Sequence, residues 1–332
     1  MRPMRNNGGA NWKERCSEFP TNAAVRGAGM DFCAASAALD CPRCISMARR
    51  AIGNKVGRLN SHPTIKDDAE ARACSCLGSS RVLDMKFEAI TTCNSVGWKQ
   101  HGERMANTFL DFWPSTVPLA VYAENFNPIR GVEKRELPVW IEHFKAANKN
   151  NEAAKGMIGG KYNYRFDAVK FSHKVAAISD AVYRTNADVL IWIDADTVTH
   201  SIVSEQFLAD RFPSGSQVAW LERHTLYPEC GFVMYAAQDA DVREAVKEFA
   251  ALYEDGKVFG LQEWHDSWVF EWVVKRHNLR TTSLSGEYGW HSHPFINGPL
   301  GSVMDHAKGN RKILGKSRVG DLKAKRTEPY WA

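Results

Sequence analysis

The pattern of hydrophobic and polar positions changes at Met85. Residues 1–84 contain few bulky apolar side chains and show no sustained period of a helix or a strand, which predicts a low-order N-terminal extension. From Met85 onward, short apolar runs alternate with segments in which apolar residues recur every three or four positions. Strands alternating with amphipathic helices predict an α/β fold, with a single mixed central sheet flanked by helices.

The central part of the chain carries this pattern most clearly. The run Val189–Ile193 is apolar throughout, as expected of a strand that is buried on both faces. Residues 166–185 and 239–255 predict long amphipathic helices, and residues 261–278 predict another helix. After Leu284 the chain becomes rich in Gly, Pro, His and Ser, which predicts a loop that lines a site rather than another layer of the fold.

The net charge of +5 arises entirely in the N-terminal part of the chain. Residues 1–80 hold 12 Lys and Arg against 7 Asp and Glu, whereas residues 81–332 hold 31 of each kind. A neutral body gives no support for a broad nucleic-acid-binding surface. The exception is local, because residues 308–326 contain eight basic residues and one acid. This basic run extends into the last residues of the chain, and residues 319–332 are predicted to be a basic C-terminal tail. The tail either contacts phosphates or is simply solvated.

Six of the eight cysteines also fall within residues 1–80. No apolar stretch typical of a secretory signal follows the first residues, and no run approaches the roughly 20 apolar residues of a membrane helix. We therefore expect a cytoplasmic protein without a membrane span, whose residues 1–84 are either a zinc module or an inert extension. Two close pairs could supply four thiolates to a zinc ion, although the second pair is one residue shorter than the usual spacing: Cys41, Cys44, Cys74 and Cys76.

The tripeptide Asp-Ala-Asp occurs twice, and the two copies lie in different contexts. Asp239 and Asp241 open a predicted helix, where acids cap free N–H groups and complement the helix dipole. Asp194 and Asp196 instead end a buried strand, and in an extended chain such residues point to one side, about 6–7 Å apart. Carboxylates at the carboxyl end of a central strand lie where open α/β sheets bind ligands. Asp194 and Asp196 are therefore predicted to form a metal and nucleotide site, and the alternative is a strand-end turn stabilised by an aspartate and Thr197.

A second motif, His306-x-x-Gly309-x-x-Lys312, follows about 110 residues later. Together with Asp194 and Asp196, it resembles the metal and diphosphate site of the retaining glycosyltransferases of family 8, the glycogenin-like enzymes. The Pro-Trp that usually follows the lysine in that family is absent here, which indicates a relative rather than a member.

Residues 85–318 also resemble the glycosyltransferases of tailed-phage genomes, through "ADVLIWIDADTVT", "LQEWHDSWVF" and "HPFINGPLGSVMDHAKGNRK". The resemblance implies a GT-A (Rossmann-like) domain over these residues. It implies an enzyme, a hexosyl- or pentosyltransferase that moves a sugar from a nucleotide-diphosphate sugar to an acceptor hydroxyl, with retention, acting in a host cytoplasm. The acceptor would be a modified DNA base, a protein or a glycan.

The resemblance also assigns roles at the metal and the donor. Asp196 would be the principal metal ligand, His306 a second one, and Asp194 would contact the metal or the ribose. Gly309 would let its backbone N–H approach a phosphate, and Lys312 would offset the charge of the diphosphate. Oxygen ligands with one imidazole favour Mn²⁺ or Mg²⁺.

Further donor contacts are expected before the metal strand. Lys174 lies where the family has a basic residue that touches the donor, although an ordinary exposed lysine is the alternative. Thr91, Thr92 and Asn94 belong to the first strand and lie where such folds hold the nucleoside, and capping of the strand end is the alternative.

Two acids are candidates for the chemistry itself. By resemblance, Asp266 lies near the acceptor and the transferred sugar. An inverting enzyme could use Asp266 or Glu263 as the general base that deprotonates the acceptor. In a retaining enzyme, the departing diphosphate itself could take that proton.

Two other functions compete with sugar transfer. A nucleotidyltransferase on a similar fold would need a Gly-rich basic loop after the first strand, and "TTCNSVGWKQHG" has too few glycines for it. A non-catalytic zinc- or nucleic-acid-binding protein would use the cysteines and the basic tail, but the neutral body disfavours it.

Overall fold

The computed structural model describes residues 85–288 and 293–332. The described residues belong to one unit, Asp68–Ala332. The predictions for residues 1–84, both the zinc module and the inert extension, lie outside the described residues. None of the described helices is long and apolar enough to cross a bilayer.

A mixed sheet of seven strands lies at the centre of the described chain, and two pairs of short strands accompany it. The apolar run predicted to be doubly covered is indeed buried at every position. The strands are β1 Phe87–Asn94, β2 Leu119–Glu124, β3 Glu133–Arg135, β4 Met157–Ile158, β5 Lys161–Tyr162, β6 Val189–Ile193, β7 Thr197–Thr199, β8 Val218–Leu221, β9 Glu229–Ala236, β10 Thr281–Ser283 and β11 Met304–His306.

Successive residues of a strand point to opposite faces of the sheet, so the buried strand residues form two hydrophobic clusters, one on each face. Helices pack against both clusters and thereby cover both faces of the sheet. Irregular helical turns over residues 95–102 lead into the first long helix. The predicted fold class, α/β with a single mixed central sheet flanked by helices, is confirmed. The helices are α1 Glu103–Phe112, α2 Trp140–Ala147, α3 Ala168–Arg184, α4 Glu205–Ala209, α5 Ala240–Glu254, α6 Asp266–Arg276, α7 Pro294–Asn297 and α8 Arg311–Leu314.

The strand order is β10-β8-β9-β6-β1-β2-β3. β1 pairs in parallel with β2 and β6, whereas β9 runs antiparallel to both β6 and β8. Outside this sheet, β11 pairs with β7 so that His306 lies opposite Thr197. This pairing brings the C-terminal motif to the carboxyl end of β6, about 110 residues away in sequence.

Two helix starts test the sequence predictions. Asp239 caps α5, because its carboxylate accepts hydrogen bonds from the backbone N–H groups of Asp241 and Val242 at 2.9 and 3.2 Å. The prediction that this Asp-Ala-Asp copy opens a helix is confirmed. The helix predicted over residues 261–278 begins only at Asp266, because the backbone is still extended at the preceding residue.

The residues after 318 lie against the same unit. The indole N–H of Trp331 donates to the carbonyl oxygen of Gly301 at 2.8 Å, and the ring is buried. The Tyr330 ring stacks on His200, and its hydroxyl donates to Asp305 at 2.9 Å. This segment therefore packs through its aromatic side chains, while Lys323 and Lys325 stay exposed.

Candidate active site

A turn after β6 carries Asp194 and Asp196. The backbone N–H of Thr197 donates to the carbonyl oxygen of Asp194 at 3.0 Å, and β7 begins at Thr197. The expected extended backbone is therefore wrong, because this hydrogen-bonded turn bends the chain between the two aspartates. Both carboxylates nevertheless approach His306.

Asp194, Asp196 and His306 form a cluster that fits a divalent metal ion. His306 Nε2 lies 3.1 Å from Asp196 Oδ1 and 3.6 Å from Asp194 Oδ2, and the three ligand atoms lie within 4.8 Å of one another. Ligand atoms about 2.1 Å from one octahedral ion are about 3–4 Å apart, so small side-chain movements would close the set. Two carboxylates and one imidazole suit Mn²⁺ or Mg²⁺.

Basic groups balance the buried carboxylate of Asp196. Burial would raise the pKa of Asp196, but His306 and Lys312, whose ammonium group contacts the carboxylate, hold that pKa well below its usual range. Burial also disfavours a charged His306, yet Asp196 and Glu229 outweigh it and raise the pKa of the imidazole to about 10. Positive charge at the cluster thus comes from His306 and Lys312, and a bound cation would take over part of this role.

Lys174 connects the cluster to the start of α6. Its ammonium group lies 3.1 Å from Asp194 Oδ1 and 2.8 Å from Asp266 Oδ2, and it donates to the carbonyl oxygen of Cys230. Because Lys174 is only 8% exposed, the alternative of an ordinary exposed lysine is wrong. Burial would lower the pKa of Lys174, but the two carboxylates raise it, so the group stays charged at neutral pH.

The two predicted catalytic acids lie on either side of His265. Burial would raise the pKa of Asp266, but Lys174 and His265 hold it well below its usual range. Glu263 Oε2 lies 2.9 Å from His265 Nε2, and its other oxygen lies 3.3 Å from the Arg165 guanidinium. Asp266 therefore lies at the site itself, and Glu263 reaches it through His265.

Thr91, Thr92 and Asn94 lie along β1. Thr91 is buried, Thr92 donates its hydroxyl to the carbonyl oxygen of Tyr122 at 2.9 Å, and Asn94 accepts from the Gly97 N–H at 2.7 Å. Thr92 and Asn94 thus satisfy neighbouring backbone groups, as the capping alternative requires. Nucleoside binding by these three residues stays a prediction.

The segment after His306 carries Gly309 and Lys312. Gly309 has a φ of 59°, which glycine adopts readily, and the space around the position of a Cβ is open. Arg104 of α1 donates to the carbonyl oxygen of Lys312 at 2.8 Å, which holds the backbone of α8 close to α1. Diphosphate binding by Gly309 and Lys312 stays a prediction.

Sequence reasoning missed Glu229, the first residue of β9. Its carboxylate is 6% exposed and lies 3.0 Å from His306 Nδ1 and 2.6 Å from Lys308 Nζ. Burial would raise the pKa of Glu229, but Lys308 and His306 hold it well below its usual range. The sequence did contain one indication of this role, because Glu229 directly precedes the apolar strand "CGFVMYAA". A carboxylate that is buried at such a place needs a partner.

Gly231, two residues further along β9, gives the His306 ring its space. A Cβ at this position would lie 2.7 Å from His306 Cε1 and 2.8 Å from Nδ1. We expect Gly231→Ala to push the ring away from the carboxylates and weaken Mn²⁺ binding at least about tenfold, as measured by calorimetry. Gly260→Ala is the matched control, because no described residue beyond its own chain neighbours lies within 4 Å of its Cβ position. Equal Mn²⁺ affinity in both variants would contradict this expectation.

A cavity of about 290 Å³ opens beside the cluster. Asp194 and Asp266 contribute charged groups to its wall, and Tyr164, Phe171 and Tyr227 contribute aromatic rings. Its volume is close to the lower end of the usual range for small-molecule sites. Carboxylates that accept hydrogen bonds and rings that stack on apolar faces together suit a sugar ring.

His293, which supports the backbone of His306, should make folding stability depend on pH. Its Nε2 donates to the carbonyl oxygen of His306 at 3.0 Å, whereas its Nδ1 is buried and makes no hydrogen bond to any described residue. Burial lowers the pKa of His293 to about 4. Because the pKa of an unfolded histidine is about 6.5, the unfolded state binds the proton first as the pH falls. This histidine's contribution is fully present above about pH 6.5, and up to roughly 3 kcal/mol is lost towards pH 4.

The variant His293→Gln isolates this effect, because glutamine can donate to the same carbonyl and does not titrate. Urea unfolding at pH 7 and at pH 4.5 should show a smaller loss of stability in His293→Gln than in the wild-type chain. An unchanged difference between the two pH values would contradict the assignment.

Comparison with known proteins gives no family assignment: no protein-family model matches the chain, and no curated protein matches it. Comparison with solved structures finds partial similarity to glycosyltransferases. Mouse xyloside xylosyltransferase 1 is 11% identical with a TM-score of 0.39, over 60% of this chain and 85% of that chain. GlyE of Streptococcus pneumoniae TIGR4 is 12% identical with a TM-score of 0.41, over 69% of this chain and 56% of that one. The bifunctional WbbM is 11% identical with a TM-score of 0.34, and 39% of its chain is covered.

Proposed function

We propose that this chain is a GT-A-type glycosyltransferase that moves a sugar from a nucleotide-diphosphate sugar to an acceptor hydroxyl with a divalent metal ion. The observation that carries the proposal is the cluster of Asp194, Asp196 and His306 at the carboxyl end of a central strand, beside a cavity of sugar size. Carboxylates and an imidazole at this edge of an α/β sheet are suited to hold a metal against a nucleotide.

The charge balance of the site supports a diphosphate as part of the substrate. The site contains four carboxylates and three ammonium groups, which together carry one negative charge. With a bound divalent cation and a neutral His306, the net charge of the site becomes +1. Such a site favours an anion and stabilises negative charge that grows during the reaction. The four carboxylates belong to Asp194, Asp196, Glu229 and Asp266, and the three ammonium groups to Lys174, Lys308 and Lys312.

The chain's own groups would divide the work around the departing diphosphate. Asp194, Asp196 and His306 would hold Mn²⁺ or Mg²⁺, which supplies Lewis-acid stabilisation of the leaving group when bound. Lys312 would turn from Asp196 to the diphosphate, and the Gly309 backbone N–H would donate to a phosphate oxygen.

The environment of Asp266 favours retention. Lys174 holds the Asp266 carboxylate in its charged form, so Asp266 is a weak proton acceptor and a poor general base. It can instead orient the transferred sugar by accepting hydrogen bonds from its hydroxyls. In this proposal, the departing diphosphate takes the proton of the acceptor hydroxyl. The acceptor is a glycan, a protein or a modified DNA base.

Turnover of nucleotide sugars tests the proposal. The full chain is incubated with UDP-, GDP- and CMP-sugars in Mn²⁺, Mg²⁺ or EDTA, and release of the nucleotide is measured. We expect hydrolysis or transfer with a diphosphate donor, dependent on metal and abolished by EDTA. CMP-sugars are the internal control, because they lack the diphosphate that the site is proposed to recognise. Absence of metal-dependent turnover and binding for every donor would refute the proposal, and formation of pyrophosphate from a nucleoside triphosphate and a sugar phosphate would favour nucleotidyl transfer.

A further inference from the structure

Glu229 makes two contacts that no step of the proposed reaction uses directly. Its Oε1 lies 3.0 Å from His306 Nδ1, and its Oε2 lies 2.6 Å from Lys308 Nζ. The residue is 6% exposed, and a carboxylate is costly to bury unless it is paired. Both oxygens therefore point to the motif that begins at His306, from a strand almost 80 residues earlier in the chain.

The His306 ring is also confined on its other sides. The missing side chain of Gly231 leaves the space that the ring occupies, since a Cβ there would lie 2.7 Å from His306 Cε1. The Phe295 ring lies 5.3 Å from the imidazole, measured between centroids. His293 fixes the backbone by donating to the His306 carbonyl oxygen. With Nδ1 directed to Glu229, the opposite nitrogen, Nε2, faces both aspartates.

We infer that Glu229 is a positioning residue, which sets the ring orientation and the tautomer of His306 for metal binding. This inference rests on the proposed metal-dependent function. A neutral imidazole carries one N–H, and donation of Nδ1–H to a carboxylate leaves the Nε2 lone pair free for a cation. A carboxylate behind a metal-binding histidine also increases the electron density of the ligand nitrogen.

Lys308 compensates the negative charge of the buried Glu229 carboxylate. Its ammonium group is partly exposed and pairs with the second oxygen of Glu229, so the carboxylate does not remain an unpaired buried charge. The same contact links the first residue of β9 to the residue that follows β11 by two positions. Glu229 thereby couples the orientation of His306 to the start of the segment that carries Gly309 and Lys312.

Metal affinity of the full chain tests the inference without any donor or acceptor. Mn²⁺ binding is measured by calorimetry and by electron paramagnetic resonance for wild type, Glu229→Leu and Glu229→Gln. We expect Glu229→Leu to weaken binding about 10- to 100-fold, as is usual for a lost hydrogen-bond partner of a metal ligand. Glu229→Gln keeps an acceptor oxygen for Nδ1–H, so its loss should be smaller but still several-fold.

Glu248→Gln is the matched control. Glu248 also pairs with a histidine, at 2.6 Å from His277 Nε2, but this pair lies between α5 and α6 and contacts none of the three metal-ligand residues in the described chain. The substitution removes the charge from a carboxylate–histidine pair, as Glu229→Gln does, so Mn²⁺ affinity should stay within about twofold of wild type if the effect at Glu229 is specific.

A spectroscopic measurement separates positioning from a merely structural role. In the Mg²⁺-loaded wild-type chain, ¹⁵N NMR should show the His306 proton on Nδ1, and Glu229→Leu should lose that single-tautomer signal. If Glu229→Leu does not fold, as judged by circular dichroism, the affinity and the tautomer of Glu229→Gln decide.

The two possible failures are distinguishable. A wild-type chain that binds no Mn²⁺ would remove the metal-dependent function and the inference with it. A wild-type chain that binds Mn²⁺, together with Glu229 variants of equal affinity and an unchanged tautomer, would overturn the inference alone.

Discussion

Replacing Asp196 with asparagine should abolish metal-dependent turnover and weaken Mn²⁺ binding more than about 100-fold. The reason is that loss of a partner behind a metal ligand already costs about 10- to 100-fold, and Asp196 is itself a ligand in the proposed site. The side chain keeps its volume, so the change removes charge rather than packing. Calorimetric titration with Mn²⁺ and the donor-turnover assay measure the two effects separately.

The second Asp-Ala-Asp copy provides the matched control. Asp241 lies in the first turn of α5 and accepts one hydrogen bond from Gln217 Nε2, at 3.2 Å. Asp241→Asn should therefore leave Mn²⁺ affinity and turnover unchanged and cost at most about 1 kcal/mol of stability, the usual size of a helix-dipole interaction. Similar metal affinities in Asp196→Asn and Asp241→Asn would show that the strand-end copy does not bind the ion.

Replacing Lys174 with methionine should destabilise the fold by about 3–5 kcal/mol, which is the usual cost of removing one partner of a buried ion pair. The ammonium group lies within 3.1 Å of both Asp194 and Asp266, and Asp266 is buried. Methionine fills most of the volume of the lysine but leaves two carboxylates without their cation. Urea unfolding of the full chain at neutral pH measures the loss.

Two further variants separate charge compensation from helix effects. Lys170→Met lies one turn earlier on α3 at an exposed position, so it should change stability by less than about 0.5 kcal/mol. The double variant Lys174→Met/Asp266→Leu removes the unpaired buried carboxylate as well, and it should recover part of the stability that Lys174→Met loses. If Lys174→Met lost little stability while the separate variant Lys170→Met lost much, this account of the buried lysine would be excluded.

The strand-and-helix layout was predictable because each element buries its own apolar residues. β6 is apolar at every position, and the segment from Ala168 to Arg184 repeats apolar residues at helical spacing, so local sequence alone specified the secondary structure of each segment.

The end of α6 was predicted well and its start was not. Trp264 and His265 continue the apolar and aromatic pattern, yet an extended backbone at His265 delays the helix to Asp266.

The site was predictable only as far as its residues belong to recognisable local patterns. Asp194 and Asp196 follow a buried strand, and His306, Gly309 and Lys312 have a spacing that chance seldom produces. Glu229 belongs to no such pattern, since a single acid before a strand is common. The burial of Lys174 was equally hidden, because a lysine on an amphipathic helix is usually exposed.

The sequence alone determined the alternation of strands and helices, the helix-capping role of Asp239, and the residue types that can hold a divalent ion. The tertiary structure decided which side chains meet. It placed His306 opposite Thr197 through the pairing of β11 with β7, and it set Glu229 behind the imidazole. It also buried Lys174 between two carboxylates. The physical reason is that local patterns report burial along one element, whereas charge compensation in a buried site depends on contacts between elements far apart in the chain.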